Sequence, residues 1–190
     1  MALDMFSLEG RVALVTGGSR GIGKMIAEGF LKQGAKVYIS ARKGGALEET
    51  TAELSKLGSI TPIVLDASGA DGAKKMAGAY LKHENKLDIL VNNAGAAWGA
   101  PFDDFPESGW DKVMDLNVKS LFFLTQKLHP LLSAAARFDR PAKVINIASI
   151  DGLRPNPWET YSYQASKAAV VHLTKRMAAR LIKLGRQIDS

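Results

Sequence analysis

The chain has 190 residues, 46% of them hydrophobic, enough for one domain with a sizeable core, and no shift in composition divides it. Its 25 basic and 19 acidic residues give a net charge of +6, compatible with an anionic ligand, but no lysine/arginine block interleaved with aromatics points to nucleic acid. Cysteine is absent, which excludes disulfides and thiolate chemistry.

The first residues carry Asp4 and Glu9 and lack the basic and apolar regions of a leader, and no apolar run approaches the ~18 residues of a membrane span. A cytoplasmic protein with no membrane partner is therefore expected. Arg11 to Thr16 is a short apolar run of strand length, Gly17-Gly-Ser-Arg-Gly-Ile-Gly23 follows at once, and Lys24 to Phe30 continues as a helix with Ile22, Ile26 and Phe30 at helical spacing. Strand, glycine turn and helix in this order make a phosphate cradle, because glycines admit a tight turn and the first helical N–H groups face whatever fills it. Two phosphate motifs compete for these residues. The P-loop pattern fails at Met25, which has no hydroxyl for Mg²⁺, and the G-x-G-x-x-G spacing is not met either.

Lys36 to Ser40 reads as a second strand, and Leu47 to Leu57 as a helix with Leu47, Leu54 and Leu57 facing inward. Ile60 to Leu65 is a third strand ending at Asp66, Asp71 to His83 a helical stretch, and Leu87 to Val91 a fourth strand running into Asn92-Asn-Ala-Gly95. Strands alternating with helix-length segments imply βαβ units: an α/β chain with a parallel sheet covered on both faces. Asp103 and Asp104, beside Pro106, read as turn and cap residues. Ser108 to Ala136 reads as the longest helix, with Trp110, Val113, Met114, Leu121, Leu124, Leu128, Leu131 and Leu132 in one stripe widened by Phe122 and Phe123. So wide an apolar arc implies burial on two sides, the second against another subunit. Asn117 lies within the stripe, either as a satisfied structural amide or as part of a site.

Ala142 to Ala148 is the fifth strand, with Ser149 at its carboxyl end, where open parallel sheets bind ligands. A loop with Pro155 and Pro157 leads to a last helix, Tyr161 to Leu184, capped at Gly185 and basic toward its end at Lys175, Arg176, Arg180, Lys183 and Arg186. On it, Tyr163 and Lys167 stand four apart and share a face. His83, His129 and His172 are scattered without a second ligand, so no metal site is read.

Thr16-Gly-Gly-Ser-Arg-Gly-Ile-Gly23, Asp66, Asn92-Asn-Ala-Gly95, Leu116-Asn-Val118, Ile147-Ala-Ser149 and Tyr163-Gln-Ala-Ser-Lys167 occur in an order that resembles the short-chain dehydrogenase/reductase family. The resemblance implies a doubly wound Rossmann-type sheet in strand order 3-2-1-4-5, residues 1–190 forming a single dinucleotide-binding domain, and later family strands absent after Ser190. It implies that Asn117, Ser149, Tyr163 and Lys167 are catalytic: Tyr163 the proton donor, Ser149 a hydrogen-bond donor to the substrate oxygen, Asn117 the anchor of a water that serves Lys167. Gly17, Ser19, Arg20, Gly21, Ile22, Arg42, Asp66, Ala67, Asn93, Ala94, Gly95, Tyr163 and Lys167 would bind the cofactor. The second strand ends without an acid and is followed by Arg42, and Arg20 sits inside the glycine turn, which favours NADP(H) over NAD. The expected activity is reduction of a small-molecule ketone, 3-oxoacyl type favoured, by a homo-oligomer joined through the Ser108–Ala136 and Tyr161–Leu184 helices. A sugar-acid dehydrogenase and a non-catalytic nucleotide-binding or interaction module stand as alternatives. Trp98, Leu153, Arg154 and Trp158 are open to two readings, a substrate pocket or local packing.

Overall fold

The computed structural model describes residues 6–185. β1 (Val12–Thr16), β2 (Lys36–Ala41), β3 (Ile60–Val64), β4 (Ile89–Asn92) and β5 (Lys143–Asn146) form one parallel sheet in the order β3-β2-β1-β4-β5. α1 (Gly21–Lys32), α2 (Gly44–Leu54) and α3 (Gly69–Leu81) link the first four strands, and α4 (Glu107–Met114), α5 (Leu121–Ala135) and α6 (Tyr161–Gly185) follow. The expected architecture and strand order are those observed. Arg186, the last of the expected basic run, lies outside the described residues.

The alternation of side chains along a strand explains why the sheet needs helices on both faces. Ala13, Val15, Val37, Ile39, Ile89 and Val91 pack with Ala27 and Leu31 of α1 and Leu47 and Leu54 of α2. Their neighbours Val12, Leu14, Tyr38, Ile63 and Leu90 point the other way, onto Met76 and Tyr80 of α3 and Leu124, Leu128, Leu131 and Leu132 of α5. The amino edge of the sheet is pinned by Asp88, which accepts the Val12 N–H at 2.9 Å and faces Arg11 at 3.6 Å.

Helical spacing alone does not say which face of α1 is buried, and two sequence expectations, Leu57 and the longest helix, need correction. The inner face of α1 is Gly23, Ala27 and Leu31; Ile26 and Phe30 are half-buried at its flank and Ile22 is exposed, because small side chains let the helix lie close on the sheet. Leu57 lies beyond the end of α2 and is exposed, so the inner face there is Leu47, Thr50 and Leu54. The run from Ser108 to Ala136 is not one regular α-helix: α4 and α5 are joined by a π-helical turn, Asp115–Ser120, that re-aims Leu116, Asn117 and Ser120 inward. Trp110 at its start is half-exposed and meets Phe105 edge-on at 6.4 Å. Among the described residues no helix is long and apolar enough to cross a membrane.

Candidate functional site

The carboxyl ends of β1 and β4 diverge where strand order reverses, β2 lying to one side of β1 and β4 to the other. Gly17 and Gly21 turn the chain there with φ of 69° and 54°, a region other residues enter at a cost. Gly23 is required for a different reason: a Cβ on it would stand 2.2 Å from the Gly17 carbonyl oxygen. Thr16 locks the turn to β4, its hydroxyl donating to the Val91 carbonyl at 3.3 Å and accepting the N–H groups of Asn93 and Ala94, each at 3.0 Å. The Asn93 side chain donates back to the carbonyls of Thr16 and Gly17 at 2.9 and 3.1 Å.

This frame opens a cleft of about 570 Å³. Gly17, Ser19, Arg20, Gly21, Ile22, Arg42, Asp66, Ala67, Asn93, Ala94 and Gly95 all line it, so every sequence-predicted cofactor residue outside α6 converges on one site. Its fit to a diphosphate rests on the start of α1. The N-cap Arg20 makes no side-chain cap, the first turn carries no acid, and a Cβ on Gly21 would meet nothing within 4 Å. Donors and space are therefore both free for an anion. Met25, the residue that breaks the P-loop pattern, is exposed on α1.

The cleft lining is also cationic. Arg20, Arg42 and Lys43 line it, and none of the ion pairs found among the described residues engages them. Lys43 was invisible to the motif but is adjacent to Arg42 and opens α2, which has no acid in its first turn. In the same lining, burial pushes the Asp66 carboxyl up, but hydrogen bonds from the Ser68 hydroxyl and N–H, together with the Arg42 charge, outweigh it and hold the group below its ordinary range.

The second group of predicted residues assembles on α6 and adjoins the cleft through Asn117. Both amide hydrogens of Asn117 are engaged, donating to the Ala96 carbonyl and the Ser166 hydroxyl at 2.9 Å each, while its Oδ1 accepts the Ala96 N–H at 2.8 Å. Ser166 in turn donates to the Tyr163 carbonyl at 2.7 Å. The π turn thus ties the loop after β4 to α6 between Tyr163 and Lys167. Lys167 is 6% exposed; its Nζ donates to the Ile147 carbonyl at 2.7 Å and lies 5.6 Å from the centroid of the Tyr163 ring. Burial lowers the pKa of this amine. Ser149 caps the turn Ile150–Gly152, its Oγ accepting the Asp151 N–H at 3.2 Å, so its own hydrogen remains to be given. That turn sits flush on α6: a Cβ on Gly152 would be 2.5 Å from the Lys167 carbonyl carbon.

Sequence reasoning missed the polar ladder beneath. Asn92 donates to Thr125 at 3.1 Å and to Asn146 at 2.8 Å, and Asn146 to Thr174 of α6 at 2.8 Å, a chain that starts buried at β4 and runs half-buried through β5 into α6. Trp98 is held in place by packing on the bare backbone of Gly109 and by the Lys112 amine 5.0 Å over its ring, whereas Leu153, Arg154 and Trp158 remain exposed.

A family model described as short chain dehydrogenase matches residues 11–188. The chain is 49% identical to a rhamnolipids biosynthesis 3-oxoacyl-[acyl-carrier-protein] reductase of Pseudomonas aeruginosa, over 93% of this chain and 69% of that protein. It is 34% identical to a gluconate 5-dehydrogenase of Gluconobacter oxydans, over 98% of this chain and 71% of that one. Among solved structures, a Pseudomonas aeruginosa RhlG/NADP active-site complex superposes with a TM-score of 0.90 at 48% identity, covering 94% of this chain and 70% of the other.

Proposed function

The chain belongs to the short-chain dehydrogenase family and is an NADP-dependent oxidoreductase, and from that premise we propose that it reduces a ketone of the 3-oxoacyl type to a secondary alcohol. The observation that carries the proposal is the Tyr163–Lys167 pair, whose amine is buried under the phenol ring beside the cleft.

The nicotinamide cofactor supplies the hydride when bound; the chain supplies orientation and the proton. The free N–H groups of α1 and the bare glycines would hold the diphosphate, and Arg20, Arg42 and Lys43 the additional phosphate of the adenosine ribose. Tyr163 Oη donates its proton to the substrate oxygen as negative charge develops there. The Lys167 amine, 5.6 Å from the centroid of the Tyr163 ring, when protonated sets a positive charge near the oxygen that loses the proton. Because burial makes the amine itself easier to deprotonate, it can pass a proton onward to restore the phenol. Ser149 Oγ donates the second hydrogen bond to the substrate oxygen and holds it against the phenol. The water expected at Asn117 would donate to the remaining lone pair of Oδ1 or to the backbone of the π turn, since the amide hydrogens are engaged.

One sheet with a core on each face supports reading residues 1–190 as a single dinucleotide-binding domain. A groove of about 460 Å³ between α5 and α6, lined by Phe122, His129, Leu173 and Met177, supports the homo-oligomer expected through these helices. Sedimentation of the wild-type chain beside Phe122→Glu tests it, with monomer expected only in the variant.

The reaction is tested by NADPH oxidation with a 3-oxoacyl thioester and with a 5-keto sugar acid. Turnover confined to the thioester supports the proposal, and turnover confined to the sugar acid supports the sugar-acid alternative. The half-exposed edge strand β5 favours a different second reading, a nucleotide-binding module without turnover. It predicts NADPH binding with neither substrate consumed.

A further inference from the structure

Between Ser149 and Tyr163, the two residues proposed to touch the substrate oxygen, residues 153–160 have no regular structure and carry large apolar side chains that the fold does not cover. Trp158 is 71% exposed and Leu153 70%. A segment with two prolines and so much apolar surface exposed would be expected to wander, yet this one is tied down at several points by side chains outside it.

Most of the ties come from Gln164, the residue after Tyr163. Its Nε2 faces three acceptors, the Trp158 carbonyl at 3.0 Å, Asn156 Oδ1 at 3.3 Å and Thr160 Oγ1 at 3.3 Å, while its Oε1 accepts the Asn156 N–H at 3.4 Å. Asn156 relays the hold, accepting the Trp158 N–H at 2.8 Å. Its own Nδ2 is buried with no acceptor among the described residues, so this side chain is fixed through Oδ1 alone. The far side of the loop is stitched to the segment after β4: the Glu159 carbonyl accepts the Ala100 N–H at 3.2 Å, and Glu159 Oε1 accepts the Phe102 N–H and the Tyr161 hydroxyl, both at 3.1 Å. The loop therefore spans from α6 to the segment that Asn117 anchors.

We propose that Gln164 is a positioning residue: it holds the 153–160 loop as a wall of the substrate site, with Trp158 presented to the apolar part of the substrate. The proposal rests on the reductase reading above. It separates two neighbours on one helix turn, Tyr163 acting on the reacting oxygen and Gln164 acting on the fit of what is attached to it.

Gln164→Met keeps the length of the side chain and removes its hydrogen bonds. With 3-oxoacyl thioesters of short and long chain, this variant is expected to raise KM for the long one about fivefold to tenfold, the range of one or two lost neutral hydrogen bonds, with kcat changed less than about twofold. Hydrogen exchange of the Trp158 amide should quicken by a similar factor. In a Trp158→Ala background Gln164→Met should change KM no further, because the residue it acts through is gone. Asn156→Ala, which releases the same clamp from the loop side and leaves α6 intact, should reproduce the KM change if the glutamine variant does not fold. An unchanged KM, a loss confined to kcat, or an equal effect in the Trp158→Ala background would overturn the proposal. Wild-type protein that turns over neither thioester would instead defeat the reductase reading, and the exchange of the Trp158 amide in Gln164→Met would still decide the clamp, unchanged exchange counting against it.

Discussion

β1 and β4, which frame the glycine turn, are buried along their whole length, whereas β5, which leads to Ser149, alternates between exposed and half-buried residues. The first region is held by apolar packing on both faces of the sheet. The second is held largely by side-chain hydrogen bonds: Asn92 to Asn146 to Thr174, Asn117 to Ser166, and Gln164 to the 153–160 loop. Apolar burial gives the cofactor half its stability without fixing orientation finely, and there the backbone itself is proposed to do the binding. Polar clamps add less stability but fix direction, which is what a proton donor and its neighbours require.

The sharpest way to break this division is Lys167→Ala. It removes the one amine beneath the Tyr163 ring, and kcat for ketone reduction should fall about 10²- to 10⁴-fold, as for loss of a group that supports acid catalysis. NADPH affinity should fall as well, since the same lysine is expected to bind the cofactor, and a loss seen only in KM would leave it that role alone.

A pair of stability measurements compares the halves directly. Leu14→Ala, in the fully buried center of the sheet, should lower unfolding free energy in urea by about 2–5 kcal/mol and reduce cofactor binding and turnover only through the folded fraction. Asn146→Ala removes one partner each from Asn92 and Thr174, which keep their bonds to Thr125 and to the Val170 carbonyl, and should cost about 1–2 kcal/mol, while turnover falls more than NADPH affinity. Equal effects of the second variant on both functions would erase the distinction.

Within the cofactor half, Arg42→Asp should weaken NADPH binding about tenfold or more and leave NADH binding little changed, the arithmetic of one lost charged hydrogen bond. Isothermal titration with both nucleotides checks this, and unchanged affinity for NADPH would refute the assignment of Arg42 to a phosphate.

The smallest effect concerns pH. Burial lowers the Lys167 pKa from its ordinary 10.5, so between the lowered value and 10.5 the unfolded chain holds more protons than the folded one. Unfolding free energy should therefore rise with pH through that window in the wild type, and rise less in Lys167→Met. Identical slopes would mean that the amine is not desolvated.

The cofactor half was readable because its signals are local. The glycine turn, the apolar strands and the missing acid after β2 each lie within a few adjacent residues, and all the cleft-lining residues read there converge in space. What escaped reading has a physical reason in each case. The inner face of α1 is Gly23, Ala27 and Leu31, and two of these carry almost no apolar signal, so the spacing of the larger Ile22, Ile26 and Phe30 marks the helix but not its buried face. The π turn at Asp115–Ser120 leaves no periodic trace, because its neighbours on both sides are ordinary helix. The Asn92–Asn146–Thr174 ladder joins residues 54 and 28 apart in the chain, and nothing in either neighbourhood announces the other. Gln164 stands inside the Tyr163-Gln-Ala-Ser-Lys167 motif without a signal of its own, and the bonds it makes depend on a loop folded back over it.

The claim at the centre of the account is that the phenol of Tyr163 delivers a proton while the cleft independently holds the nucleotide. Tyr163→Phe, measured for NADPH affinity and for single-turnover reduction of a 3-oxoacyl thioester in the same preparation, tests it most directly. The account predicts a reduction rate lower by about 10²-fold or more and an NADPH affinity lowered far less, by no more than the ~fivefold of one lost neutral hydrogen bond. A variant that reduces the thioester at the wild-type rate, or one whose loss of rate follows a matching loss of NADPH affinity, would contradict it.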